Sequence, residues 1–141
     1  MIVLDTNVVS EFARSKPNEN VLRWYDRQDG LALYLCGPVV MEQAYGAERF
    51  GHRTGSPRFS QVLERLLKEE FQDRVLEFVH PAPMLAGALR ARRENVGRAL
   101  SVVDAMIAAI CLAHDATLAT RNVRDFDGLD LKLVNPFEAG A

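Results

Sequence analysis

The sequence predicts an α/β fold built on a mostly parallel sheet covered on both faces. Three observations predict it. Short apolar runs of strand length alternate with segments whose apolar residues recur at helical spacing. Asp, Asn, Gly and Pro clusters punctuate the boundaries. The chain has 141 residues, 48% hydrophobic and 26% charged, the balance of one ordinary globular domain. That balance excludes a mainly disordered chain, a collagen-like chain and a coiled-coil rod.

Ile2 to Leu4 is the first strand. Asp5-Thr6-Asn7 supplies cap-type residues for a helix over Val8 to Arg14. Ser15-Lys16-Pro17-Asn18 breaks it. A second helix runs from Glu19 to Gln28, with Val21, Leu22 and Tyr25 on one face. Asp29-Gly30 is a turn before the second strand, Leu31 to Cys36. Gly37-Pro38 ends that strand, and Pro38 suits the first position of a helix over Val39 to Phe50. Gly51 to Pro57 is a turn-rich gap. Phe59 to Phe71 carries Val62, Leu63, Leu66 and Leu67 at helical spacing. Arg74 to Val79 is the third strand, and Pro81 to Asn95 a helix with a basic outer face. Ser101 caps a long apolar helix from Val102 to His114. Asp115-Ala116 turns into a fourth strand, Thr117 to Ala119, and Leu131 to Val134 is a fifth. Without a repeat, a low-complexity segment or a linker, residues 1–141 read as a single domain.

The formal net charge is -2, so a strongly basic coat is absent and any nucleic-acid contact uses local patches. Arg90, Arg92 and Arg93 with Arg98, and Arg49 and Arg53 with Arg58, read as solvated helix faces. Arg121 and Arg124 differ because they flank a group of acidic residues, where a phosphodiester backbone needs cations. Cys36 and Cys111 lie far apart in apolar stretches without metal-type spacing, so both read as reduced core residues. Asp5 interrupts the N-terminal apolar run too early for a signal peptide. The longest apolar stretch, Val102 to Ala113, contains Asp104 and is too short for a bilayer. These features predict a soluble cytoplasmic protein.

Parallel sheets bind ligands beyond the carboxyl ends of their strands. Asp5 follows the first strand, Glu42 lies early in the helix after the second, and Asp104 sits in the first turn of the long apolar helix. Asp125 and Asp127 follow the fourth strand. Carboxylates gathered at one edge repel and raise each other's pKa, a conflict that a divalent cation removes. Oxygen ligands with open positions suit magnesium or manganese. Each residue also has a structural reading. Asp5 serves equally as an N-cap, Asp104 complements a helix dipole, Glu42 is favourable in an early turn, and Asp127 suits a turn. Asp104 is the hardest to explain structurally, since nearly all its neighbours in sequence are apolar.

Other chemistries lack their residues. No nucleophile elbow or phosphate loop is present, and His52, His80 and His114 lack metal spacing. Asn7 stands where an Asp-nucleophile phosphatase usually carries its second Asp.

MIVLDTNVVSE at the start, VMEQAYG around Glu42, LSVVDAMIAAI around Asp104 and TLATRNVRDFDG at 117–128 resemble, in order, the motifs of PIN-domain toxins of the VapC/FitB type. Val134-Asn135-Pro136-Phe137 resembles their usual ending. The resemblance implies a three-layer α/β sandwich with about five mostly parallel strands. It implies the toxin of a type II toxin–antitoxin pair, a Mg²⁺-dependent ribonuclease, with Mn²⁺ as a substitute. Carried onto this chain, the metal carboxylates are Asp5, Glu42 and Asp104, with Thr6 and Ser101 as polar neighbours. Many members have Asp where this chain has Asn122, and Asp125 is the nearest remaining carboxylate, so either residue completes the set. Water activated by the cation would attack an RNA phosphodiester in line, leaving 5′-phosphate and 3′-hydroxyl ends. The implied partner is an antitoxin with a DNA-binding end, whose tail lays a basic side chain across the acidic edge. A homodimer is implied too, with higher assembly on the antitoxin, and Trp24, Tyr25 and Phe50 are candidates for its contact or for the core. Two alternatives remain: a catalytically weak PIN domain that binds RNA or protein, and a DNA nuclease or phosphatase with a similar acidic site.

Overall fold

A computed structural model describes all residues from Met1 to Ala141. Its elements run β1 (Ile2–Leu4), α1 (Thr6–Val9), α2 (Glu19–Asp26), β2 (Leu33–Cys36), α3 (Gly37–Thr54), α4 (Arg58–Arg65), β3 (Val75–Leu76), α5 (Ala82–Asn95), α6 (Val102–Ala113), β4 (Thr117–Ala119) and β5 (Lys132–Val134). The five strands form one sheet in the order β3-β2-β1-β4-β5. Every adjacent pair is parallel. The expected alternation and five-stranded parallel sheet are therefore present.

The central strand is β1. Val3 pairs with Tyr34 of β2 on one side and Leu118 of β4 on the other. Such a strand has no solvated face, and Val3, Leu4, Leu35, Leu118 and Ala119 are essentially inaccessible. They join Val8, Val39 and the α6 residues Ile107 to Cys111 in one cluster of 26 buried residues. Helix α6 is apolar nearly all round because it lies within the core. Both cysteines are free and buried, as expected, and burial pushes the Cys36 thiol up to about 12. No helix is long and apolar enough to cross a membrane.

Several boundaries differ from the sequence expectation for local reasons. Helix α1 begins at Thr6, because Asp5 already caps it, and tightens into a 3-10 turn over Ser10–Ala13. Helix α3 continues through Gly51 and stops at Gly55, which takes φ 74° and donates its N–H to the Gly51 carbonyl at 2.8 Å. The expected 59–71 helix is α4 followed by a π-helical stretch, Leu66–Glu70. Strand β3 keeps only two residues. Among the aromatic candidates for a dimer contact, Trp24 is 3% exposed and belongs to the core. Tyr25 packs edge-on against Phe12, and Phe50 against Phe59. The large apolar side chains that do face outward include Met41 and Tyr45 on α3, Met84 on α5 and Val102 on α6.

Arg93 also departs from expectation. It does not join the solvated basic face of α5 but is 5% exposed. Its guanidinium donates to the carbonyls of Arg98 at 3.3 Å and Asp127 at 3.1 Å, and also to that of Asp125, tying the loop after β4 to α5. A buried cation held through its two terminal nitrogens by carbonyl dipoles, with Nε left without a partner, is costly to truncate, because the carbonyls then lose their donors. Arg93→Ala is expected to lower stability by about 2–4 kcal/mol in urea unfolding. Arg93→Lys is expected to recover only part of that, since one ammonium cannot span three acceptors. An unchanged midpoint in Arg93→Ala would contradict this account.

Candidate active site

The strand order places the switch point between β1 and β4: the chain builds outward from β1 to β3, then returns to the other side of β1. A crevice opens beyond the carboxyl ends of strands at such a point. Asp5 leaves β1 there, and Thr120, Arg121 and Asn122 leave β4. Helix α3 brings Glu42 and helix α6 brings Asp104 to the same place. Asp5, Thr6, Glu42, Asp104 and Asn122 all line one open cavity of about 410 Å³.

Asp5 is 5% exposed and held by three donors. The Thr6 N–H donates to Oδ1 at 2.8 Å, the Thr120 hydroxyl to Oδ2 at 2.7 Å, and Asn7 Nδ2 to Oδ2 at 3.3 Å. Burial raises its pKa, as does the Glu42 carboxylate, while the Thr120, Thr6 and Asn7 hydrogen bonds oppose the rise. The cap reading of Asp5 is thus correct, and it leaves the carboxylate facing the cavity. Glu42 Oε1 accepts from the Thr6 hydroxyl at 2.7 Å. Asp104 is half-buried. Burial raises its pKa first, then the Asp5 carboxylate; hydrogen bonding with the Ser101 side chain opposes the rise, and Asp125 and Glu42 add smaller contributions to it.

Two candidates stand apart. Ser101 caps α6, accepting the Asp104 N–H at 3.1 Å, and does not line the cavity. Asp125 is exposed and does not line it either, although it is close enough to Asp104 to raise that carboxyl. Three residues of the site went unrecognised in the sequence. Thr120, fully buried, joins Asp5 to the Asn122 N–H, which it accepts at 3.0 Å. Asn7 reaches Asp5 and Thr120 and accepts the Arg121 N–H at 3.0 Å. Glu11 is 2% exposed, lines the cavity and pairs with Arg14 at 3.2 Å. A signal existed for Glu11: like Asp104, it is a charge inside an apolar helical run.

The donor set fits a hard divalent cation. It consists of oxygens, with no thiol or imidazole. Asp5, Glu42 and Asp104 form no ion pair, while Glu11 beside them does. The carboxylates are near enough to raise one another, yet no three acidic, His or Cys side chains converge into a ready cage. The arrangement is an open one. A larger concavity of about 920 Å³ adjoins it through Thr6 and Glu42, with Phe50, Phe59 and Leu63 among its apolar lining and Arg49 and Arg53 among its basic one.

Comparison with known proteins identifies the family. The PIN domain profile matches residues 2–131. The chain belongs to the PIN domain family. This PIN domain is 40% identical over 141 residues to the plasmid stability protein StbB of Pseudomonas syringae pv. tomato, covering 99% of this chain and all of that one. It is 34% identical to the VapC ribonuclease Y4jK of Sinorhizobium fredii, over 98% of this chain and 99% of that one. It is also similar to the structure of FitAcB from Neisseria gonorrhoeae, with a TM-score of 0.84 and 31% identity over 98% of this chain and 99% of that one.

The raised carboxyls predict a pH dependence. A group whose pKa is higher in the folded state binds its proton more tightly there, so its stabilisation is present below the ordinary value of 3.8 and is lost as pH rises through the raised one. In chelator, the wild-type PIN domain is expected to lose stability across that window. Asp104→Asn, which removes the charge and no side-chain cap, is expected to flatten the loss and to gain up to about 1 kcal/mol at neutral pH. Superimposable stability–pH curves for the two proteins would contradict the electrostatic account.

Proposed function

We propose that this chain is the toxin of a type II toxin–antitoxin pair and acts as a divalent-metal-dependent ribonuclease. One observation carries the reading: Asp5, Glu42 and Asp104 line one open cavity of a PIN domain, and none of the three forms an ion pair. Full-length similarity to a protein named VapC ribonuclease and to one named Toxin FitB supports it.

In this reading Asp5, Glu42 and Asp104 hold Mg²⁺, or Mn²⁺ in its place, and Asn122 contributes a neutral oxygen instead of a fourth carboxylate. When bound, the cation supplies a stronger water nucleophile and neutralises charge developing on the phosphoryl oxygens. The chain supplies preorganisation. Three donors orient Asp5, and the Thr6 hydroxyl orients Glu42, so both carboxylates are aimed before substrate arrives. The Asn7 bridge holds Arg121 and the loop after β4 in register with Asp5. Asp125, outside the cavity, acts on the site through its charge rather than as a ligand.

The partner in this reading is an antitoxin with a DNA-binding end. FitAB and VapBC complexes with DNA fragments are among the similar structures. A basic side chain from its tail pairs with the unpartnered carboxylates and competes with the cation. The adjoining apolar concavity between α3 and α4 offers the contact area that a docked segment needs. The toxin itself pairs as a homodimer, with outward-facing Met41 and Tyr45 among the side chains available for that contact.

Induced expression followed by sequencing of RNA ends tests the activity. New 5′-phosphate ends are expected with the wild-type chain. Asp5→Asn, Glu42→Gln and Asp104→Asn are each expected to cut at least about 100-fold more slowly while remaining folded. Wild-type cleavage by Asp104→Asn in magnesium, or undiminished cleavage in chelator, would overturn the metal reading. Co-expression with the cognate antitoxin is expected to suppress cleavage. A tight complex that still cuts RNA at the free rate would overturn the tail-insertion reading.

A further inference from the structure

We propose that Arg121 is the substrate-contacting cation of this site, binding an RNA phosphate beside the scissile one, with Phe137 as the shelf that holds its guanidinium. The inference rests on the ribonuclease reading above. Two arginines line the acidic cavity, Arg14 and Arg121. Arg14 is committed to Glu11 at 3.2 Å. The Arg121 side chain forms no ion pair and no hydrogen bond, although carboxylates line the same cavity.

It is nevertheless not a loose surface arginine. Its N–H donates to Asn7 Oδ1 at 3.0 Å, which anchors its backbone to the residue that also contacts Asp5. Its guanidinium carbon lies 4.8 Å from the centre of the Phe137 ring. That ring is itself anchored. The Phe137 N–H donates to Asn135 Oδ1 at 3.0 Å, and its carbonyl accepts from Asn20 of α2 at 2.9 Å. Stacking on an aromatic face holds a guanidinium while leaving its planar N–H fork unspent. That fork matches a phosphate bidentately. Arg124, the other cation that the sequence put at this edge, does not line the cavity; its carbonyl accepts from Arg98 at 3.0 Å and from the Asp127 N–H at 3.4 Å.

A negatively charged backbone approaching three carboxylates needs a cation that the carboxylates have not already consumed. Arg121 answers that need: it stands at the cavity, it is oriented, and it is unpaired.

The test is filter binding of total bacterial tRNA and rRNA to the full chain, with calcium replacing magnesium, across a salt series, beside cleavage kinetics in magnesium. Arg121→Ala is expected to bind about 10-fold more weakly and to lose close to one unit from the slope of log affinity against log salt. KM is expected to rise with kcat within about 3-fold, as for uniform binding. Arg121→Lys is expected to restore the salt slope but not the full affinity, and Phe137→Leu to weaken binding while keeping the slope. Arg124→Ala is expected to match the wild type. Unchanged affinity and slope in Arg121→Ala, while the wild type binds and cuts RNA, would overturn this assignment alone. A fall in kcat with unchanged binding would overturn it as well. A wild-type chain that neither binds nor cuts RNA would overturn the ribonuclease reading and this assignment with it.

Discussion

The hydrogen bond from the Thr120 hydroxyl to Asp5, 2.7 Å long and wholly buried, joins the carboxyl ends of β1 and β4. The rest of the site depends on that junction. It opposes the rise in pKa that burial imposes on Asp5, and so favours the carboxylate at a buried position. It also makes Thr120 the acceptor for the Asn122 N–H, so the loop carrying Arg121 and Asn122 starts from a defined position. Asn7 closes the same net from the α1 side. Two short polar side chains, Thr120 and Asn7, thus convert the meeting of two strands into an oriented carboxylate.

The charge around this net is distributed unequally. Asp5, Glu42 and Asp104 are left without cations, at a cost to the folded chain that the raised Asp5 and Asp104 carboxyls express. Glu11, which lines the same cavity, is paired with Arg14. Arg93 is buried beneath the loop after β4, yet it spends its donors on backbone carbonyls rather than on carboxylates. The fold places positive charge where it steadies the loop and leaves the negative edge intact. Such uncompensated charge is a common mark of a site whose partner arrives from outside.

Much of the architecture was legible. Apolar runs of period-free strand type, separated by helical spacing, correctly gave the parallel sheet, because a strand buried on both faces has no polar residues to alternate with. The caps Asp5 and Ser101 were legible because capping is local chemistry. One boundary moved where the packed helix overrode a local breaker: Gly51 stays helical within α3, which ends only at Gly55. Trp24, read as either core or contact, is core.

By itself the sequence determined that Asp5, Glu42 and Asp104 each follow a strand or open a helix, and therefore that they belong near one sheet edge. Periodicity and caps are properties of neighbouring residues, and they survive without the fold. Only the tertiary structure decided the membership of the cavity. Asn122 lines it and Asp125 does not, Glu11 turns inward, and Ser101 is spent on its own helix. Those outcomes depend on β4 lying against β1, a pairing between residues more than a hundred positions apart. No local pattern in the chain encodes which strand becomes another's neighbour, so the identity of the residues facing each other across that seam had to come from the packed sheet.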